Sequence, residues 1–243
     1  MSTLYICGAG NSETVRLAQR INREQARWDR IVILDDDARK HGQSILGATI
    51  EGPFRILAQA IGKQADVVNS VTRTTARRWS ARRKILLYGL PFATLIDPGV
   101  DVAGAQLATD IIVYQHATIG PQVSIGAASA IFMGAIVGHE SQLGRCCVVA
   151  ANAVLNARVQ MSDGVYVGSN ASILPEVKVG AWATIAAGSM VMQNVPAGAT
   201  VMGVPGKIVY RLSPEQILMR NAEFLPAVVR EQAASGVVWS ETI

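Results

Sequence analysis

The sequence predicts a small α/β unit with a Rossmann-like parallel sheet, then a β-solenoid, then a helical tail. Two observations carry this. From Val113 to Val191 an aliphatic residue recurs at every sixth position without a break, starting Val113, Ile119, Ile125, Ile131 and ending Val179, Ile185, Val191. Four residues after each stands a smaller side chain, from Ala117 and Val123 through Ser129 and Cys147 to Val195, and none is large or charged. The region before residue 92 lacks this period and alternates instead between short apolar runs and a helical pattern.

A period of six fits neither a helix, which needs about 3.6, nor a lone strand, which needs 2. It describes a two-residue strand plus a tight turn, so three hexads close a triangular coil of about 18 residues. Coils then stack as parallel strands about 4.8 Å apart. Gly120, Gly126, Gly138, Gly144, Gly168 and Gly180 directly follow aliphatic positions. They are expected at corners where backbones crowd or φ turns positive. Upstream the phase slips by one residue, because Ile96 and Val102 lead to Ala108 whereas the later register leads back to Leu107. An irregular first coil is expected.

In the first unit, Leu4–Cys7 reads as a buried strand, Gly8-Ala9-Gly10-Asn11-Ser12 as a turn, and Glu13–Arg27 as a helix with Val15, Leu17, Ala18 and Ile21 on one face. Ile31–Leu34 is a second strand ending in Asp35-Asp36-Asp37, Ala65–Val68 a third, and Thr72–Lys84 a helix crossing toward the solenoid. The predicted domains are residues 1–92, 93–209 and 210–243. Pro196, Gly198, Gly203, Pro205 and Gly206 close the last coil. Ser213-Pro214-Glu215-Gln216 then reads as a helix start. Ile217, Leu218, Phe224, Leu225, Val228 and Val229 supply apolar positions for one or two helices that would cover the open strand edge.

Half of the 243 residues are hydrophobic and only 16% are charged, as suits an apolar column with outer faces covered by partners. The net charge of +4 arises partly from Arg73, Arg77, Arg78, Arg82, Arg83 and Lys84, expected to be a solvated helix face rather than an anionic-ligand or nucleic-acid patch. Cys7, Cys146 and Cys147 form no disulfide framework and point to a reducing compartment. Leu4–Cys7 is too short for a signal peptide, and no run approaches the roughly 18 apolar residues of a membrane span, so a cytoplasmic protein with no membrane partner is expected.

Three histidines are present, at positions 41, 116 and 139. His139 falls on an outward corner and Glu140 follows it. A carboxylate that holds one ring N–H leaves the other nitrogen as an acceptor, which makes a general base. Two ordinary surface residues would look the same. Stacked 18 residues from His139 are Pro121 and Ala157, and from His116 Gly134 and Asn152, so no strong ligand set forms and no metal is expected. Gly8-Ala9-Gly10 begins like a dinucleotide fingerprint, but the third glycine position is Glu13. The helix start after Asn11-Ser12 can still meet a phosphate. Asp35 and Asp36 are placed to bind a ribose, base or sugar, or simply to support a turn.

These features together resemble the sialic-acid/UDP-amino-sugar acetyltransferase family of hexapeptide enzymes. The likeness rests on the Gly-Ala-Gly unit, Leu34-Asp35-Asp36, the hexads, Gly138-His139-Glu140 and the closing Val201-Met202-Gly203-Val204-Pro205-Gly206-Lys207, and it spans roughly residues 1–209. It implies a left-handed parallel β-helix, a homotrimer with acetyl-CoA between neighbouring β-helices, and a nucleotide-sugar acceptor reaching from the first domain to the base. On that resemblance His139 is the base and Glu140 orients it. Gly8, Gly10, Asn11, Ser12, Asp35 and Asp36 are acceptor-side positions, and Val148, Ser169, Ala187 and Lys207 lie on the cofactor side. The chain departs from the family pattern at Val148, where a second histidine is usual, at Ala150-Ala151-Asn152 in place of Ser-x-Gly, at Asn11-Ser12 in place of Gly-His, and at Val68-Asn69-Ser70 in place of Ile-Gly-Asn. The expected function is N- or O-acetylation of a sugar or nucleotide-linked amino sugar. The alternatives are a catalytically silent ligand-binding or scaffold trimer and an acyltransferase on a non-sugar small molecule.

Overall fold

The computed structural model describes residues 1–221. Its first unit is a five-stranded sheet of β1 (Thr3–Cys7), β2 (Arg30–Leu34), β3 (Ser44–Ile45), β4 (Ala48–Gly52) and β5 (Ala65–Asn69), in the order β3-β4-β2-β1-β5. β4, β2, β1 and β5 run parallel, and β3 forms an antiparallel hairpin with β4. The β3–β4 hairpin is not anticipated from the sequence, because β3 is only two residues long and its Leu46-Gly47 turn lacks the usual Asn-Gly or Asp-Gly signal. Helix α1 (Ser12–Gln25) buries Val15, Leu17, Ala18 and Ile21 as predicted, and Asn11 caps it by accepting from Glu13 N at 3.1 Å.

Helix α2 (Thr75–Leu86) corrects one expectation. Arg73, Arg77, Arg83 and Lys84 are exposed, but Arg78 and Arg82 are 0% and 1% exposed. Four residues apart, they share the helix face that meets the β-helix. Arg78 Nε donates to Ala128 O at 2.6 Å, and Arg82 Nε donates to Asp110 Oδ2 at 2.6 Å. Composition showed a basic run, but only docking reveals that two of its members bind the two units together.

The solenoid is a left-handed parallel β-helix of two-residue strands. Register runs 18 residues per coil, as in Ser124↔Gln142 and Ile136↔Val154, whereas the first coil pairs Leu95 with Ile112, one residue short, where the sequence phase slips. Every hexad aliphatic points inward and, with its apolar companions, forms one column, while the companions Ser129, Ser141 and Ser189 are buried polar residues. The inward hydroxyls of Ser129 and Ser141 are satisfied across coils: they donate to Gly144 O and Asn156 O and accept from Cys147 N and Val159 N.

The corner glycines occur for one of the two expected reasons. At fourteen successive corners from Asp110 to Gly188, six residues apart, φ is near +60°, yet only Gly134, Gly164 and Gly188 among them are glycine. The predicted glycines sit two residues earlier. There a Cβ on Gly120 or Gly138 would lie 2.6 Å from backbone atoms of the next coil. Crowding selects them, not dihedral angle.

The outward strand positions give the prism three different faces. Ile112 and Ala130, with Leu95 and Tyr114, join a core made with β1 and α1, so one face is covered by the first unit. A second carries Gln106, Ser124, Gln142, Gln160 and Lys178. The third carries Thr118, Ile136, Val154, Ser172 and Met190, with Ile136 42% and Met190 37% exposed.

At the far end the last parallel strand, Ala199–Met202, pairs antiparallel with Lys207–Arg211. This hairpin takes the edge of the sheet that faces the first unit. Residues 214–221 are helical and begin in a capping box, with Ser213 Oγ accepting from Gln216 N and Gln216 Oε1 accepting from Ser213 N. Leu212 and Ile217 pack on Trp182 at the side of the solenoid. Phe224, Leu225, Val228 and Val229 lie outside the described residues. No helix among the described residues is long and apolar enough to cross a membrane.

Candidate active site

His139 and Glu140 are the two central residues of a turn closed by Ser141 N donating to Gly138 O at 3.3 Å. Glu140 has φ +60°, the left-handed conformation that the second central position of a type II turn requires. Because the same conformation occurs at every corner, it does not by itself mark Glu140 as special. What fixes the pair is stacking. Glu140 N donates to Pro121 O at 3.0 Å in the coil above, and Arg158 N in the coil below donates to His139 O at 2.9 Å. Gly120 lets the upper coil press against the His139 backbone, and Gly138 does the same toward Asn156 and Ala157 below.

The ring is held as firmly. His139 Nδ1 lies 2.8 Å from Glu140 Oε1, and the two side chains are 48% and 46% exposed. An ionised carboxylate can only accept, so the shared proton sits on Nδ1 and Nε2 keeps its lone pair. Among the described residues Nε2 makes no hydrogen bond. Pro121 and Ala157 stack on either side of His139, and no cluster of three metal-ligating residues occurs among the described residues.

The Gly-Ala-Gly turn forms a second cluster. Asp35 accepts from Ala9 N at 2.8 Å, from Asp37 N at 2.9 Å and from Lys40 Nζ at 2.8 Å. Burial works to raise its pKa, but Lys40 and the two backbone N–H groups together outweigh it and hold the carboxyl below its ordinary value. Asp36 faces elsewhere, accepting from Phe54 N and Lys84 Nζ. Both carboxylates therefore already have internal partners that stiffen the turn. Gly8, at φ +108°, lies against Val71, while Gly10 and Ser12 are exposed.

A buried polar chain that the sequence does not reveal ties this turn to the β-helix. Tyr114 OH accepts from Asn11 Nδ2 at 2.8 Å and shares a 2.7 Å bond with Thr14 Oγ1, which accepts from Ser70 Oγ. Burial pushes the Tyr114 hydroxyl up to about 12, so it stays protonated. Gln115 Nε2 adds a bond to Glu13 Oε2.

Ser169 and Ala187 form a third group. Both stand on the corner that also carries Gln115 and His116, and Gly188 N donates to Ser169 O at 2.9 Å. With Ala151 they make a column of small side chains. Lys207 is exposed on the closing hairpin. Val148 differs from expectation. Val149 takes the inward position of its strand, and Val148 lies on the covered face with 1% exposure, so it offers no surface to a ligand.

The groups do not converge within one chain. The turn and the Ser169–Ala187 column adjoin one edge of the third prism face, and His139 stands on the other. One side of the coil, five or six residues at about 3.3 Å each, separates them by roughly 17–20 Å.

No protein-family model matches the chain, and no curated protein matches it in sequence. Solved structures do. The acetyltransferase domain of PglB from Neisseria gonorrhoeae FA1090, also solved with acetyl coenzyme A, aligns at 23% identity and TM-score 0.78 over 86% of this chain and 100% of that one. PerB from Caulobacter crescentus, in complex with CoA and GDP-perosamine, aligns at 22% identity and TM-score 0.74 over 86% and 98%. WeeI from Acinetobacter baumannii AYE aligns at 17% identity and TM-score 0.76 over 86% and 100%. The chain shares their fold across both units.

Proposed function

We propose that this protein is an acetyl-CoA-dependent acetyltransferase that acylates an amine or hydroxyl of a sugar or nucleotide-linked amino sugar, with His139 as general base and Glu140 orienting it. The observation that carries the proposal is the half-exposed imidazole fixed through Nδ1 on a rigid corner, with Nε2 left as the acceptor. The shared fold supports it, because solved structures of that fold are described with acetyl coenzyme A and with CoA and GDP-perosamine.

His139 Nε2 takes a proton from the acceptor N or O as that atom attacks the thioester carbonyl. The tetrahedral species then collapses, the C–S bond breaks, and the CoA thiolate leaves and recovers a proton from the imidazolium. Glu140 stabilises that imidazolium and keeps the ring from rotating.

Residues 1–92 would hold the acceptor through the turn at Gly8, Gly10, Asn11 and Ser12, with Asp35 and Asp36 bracing it. Residues 93–209 would carry donor and base. The column of Ala151, Ser169 and Ala187 leaves room for a slender pantetheine chain, and Lys207 suits its phosphates. Because these positions and His139 lie on opposite edges of one face, a complete site needs a second copy. A homotrimer packed on the face of Ile136, Val154 and Met190 supplies it.

The test is thiol release from acetyl-CoA with UDP- and GDP-linked amino sugars, sialic acid and simple hydroxyl acceptors, for wild type and His139→Ala. A base worth the usual factor predicts a loss of about 100-fold or more. Unchanged transfer in the variant would refute the base, and no release with any acceptor would favour a silent scaffold. Light scattering should give three times the 25.8 kDa chain mass.

A further inference from the structure

Below Glu140, on the same corner, the 18-residue register places Arg158 and then Glu176, with φ values of +60°, +59° and +65°. Equal backbone conformation makes the three side chains project alike, one coil or about 4.8 Å apart. The central guanidinium thus stands between two carboxylates and is taken by the lower one. Arg158 Nε and Nη2 both reach Glu176 Oε1 at 2.9 Å. Glu140 is left to His139 alone, at 2.8 Å.

We propose that Glu176 is a positioning residue for the His139–Glu140 pair: by holding Arg158 it keeps a guanidinium off Glu140, so that the carboxylate serves the imidazole undivided. This rests on the reading of His139 as the base. Without Glu176 the nearest carboxylate for Arg158 is Glu140, whose Oε2 makes no hydrogen bond among the described residues. A bidentate Arg–carboxylate pair would then draw charge from the acceptor of Nδ1–H. The imidazolium would lose stabilisation, and the ring would release its proton at lower pH.

Few other charges face this ring. Gln122 lies above Glu140 in the stack, and Asp101 belongs to the turn above that, where its side chain caps Ala103 N at 2.8 Å. Lys178 stands on the adjoining polar face, two residues beyond Glu176. Pro121 and Ala157, directly above and below His139, carry no charge.

The experiment is an NMR titration of the His139 ring in wild type, Glu176→Gln, Arg158→Gln and the double variant, beside the pH profile of kcat/KM. Glu176→Gln should move both the ring titration and the acid limb of the profile down by about half a pH unit, the size of one charge contact in a water-like dielectric. In the Arg158→Gln background the same substitution should move them by less than half as much. An unchanged titration in Glu176→Gln would overturn the proposal. So would an equal shift in both backgrounds, since Glu176 would then act on the ring without Arg158. The titration reads the ring itself, so it tests the ladder even if wild type transfers no acyl group; that outcome would count against the reaction alone.

Discussion

Gly138 and Gly188 separate the two reasons for which a coil corner excludes side chains, and substituting each by alanine should give clearly different losses. A Cβ on Gly138 would lie 2.6 Å from the carbonyl carbon of Asn156 and 2.7 Å from Ala157 N. Normal contact begins near 3.4 Å, so the coils must part by most of an ångström. The hydrogen bonds on either side, Gly138 N to Leu155 O at 2.8 Å and Arg158 N to His139 O at 2.9 Å, resist this. Overpacking of this kind costs about 3 kcal/mol. Gly188 has φ +68° but nothing within 4 Å of an added Cβ, so alanine there meets only the left-handed penalty of about 1 kcal/mol, part of which is offset by a stiffer unfolded chain. For a chain of this size each kcal/mol shifts Tm by about 2–4 °C. Thermal unfolding followed by circular dichroism should therefore fall by about 6–12 °C for Gly138→Ala and by less than about 4 °C for Gly188→Ala. Equal shifts, or the reverse order, would refute the claim that crowding rather than φ selects the hexad glycines.

Three further outcomes follow from buried charge and burial. Asp110→Ala should destabilise by about 3–5 kcal/mol, because it strands the Arg82 charge at an interface where the two side chains are 2% and 0% exposed, and replacing both partners by leucine should recover most of the loss; a urea midpoint for the single variant within error of wild type would count against the interdomain lock. Asp35 is held below its ordinary pKa, so its stabilisation is complete above the unfolded carboxylate value of about 3.9 and is lost as pH falls through the lower folded value. Asp35→Asn should therefore show a shallower fall in urea midpoint between neutral pH and acid, and an identical slope would exclude this carboxylate. Burial pushes the Cys146 thiol up to about 12 despite the opposing Arg78 and Arg82 charges, and it also raises Cys7 and Cys147. A disulfide reagent at pH 8 should label no cysteine in the native protein and three in urea; fast labelling of any one in the native state would place that thiol at the surface.

Where the hexad period ran, the sequence was a nearly complete description of the structure. A repeat of six fixes both which residues turn inward and which stack 18 apart, so His139 could be set between Pro121 and Ala157 from the sequence alone. The same register sets Arg158 and Glu176 beneath Glu140, but spacing does not say which carboxylate the guanidinium takes. The β3–β4 hairpin was invisible because β3 is two residues long and its Leu46-Gly47 turn lacks the usual Asn-Gly or Asp-Gly signal, and the Tyr114–Thr14–Ser70 chain because its bonded pairs are 56 and 100 residues apart.

By itself, then, the sequence determined the coil, its register, the N-terminal strand–helix–strand order and the pairing of His139 with Glu140, since each depends on neighbours along the chain or at a constant period. Only the tertiary structure decided that Arg78 and Arg82 are buried, that Asp35 and Asp36 are already bonded, that Val148 is covered, and that the Gly8–Ser12 turn and His139 lie on opposite edges of one face. Those facts depend on how one unit seats against the other, and no local pattern encodes the contact between a helix face and a solenoid corner.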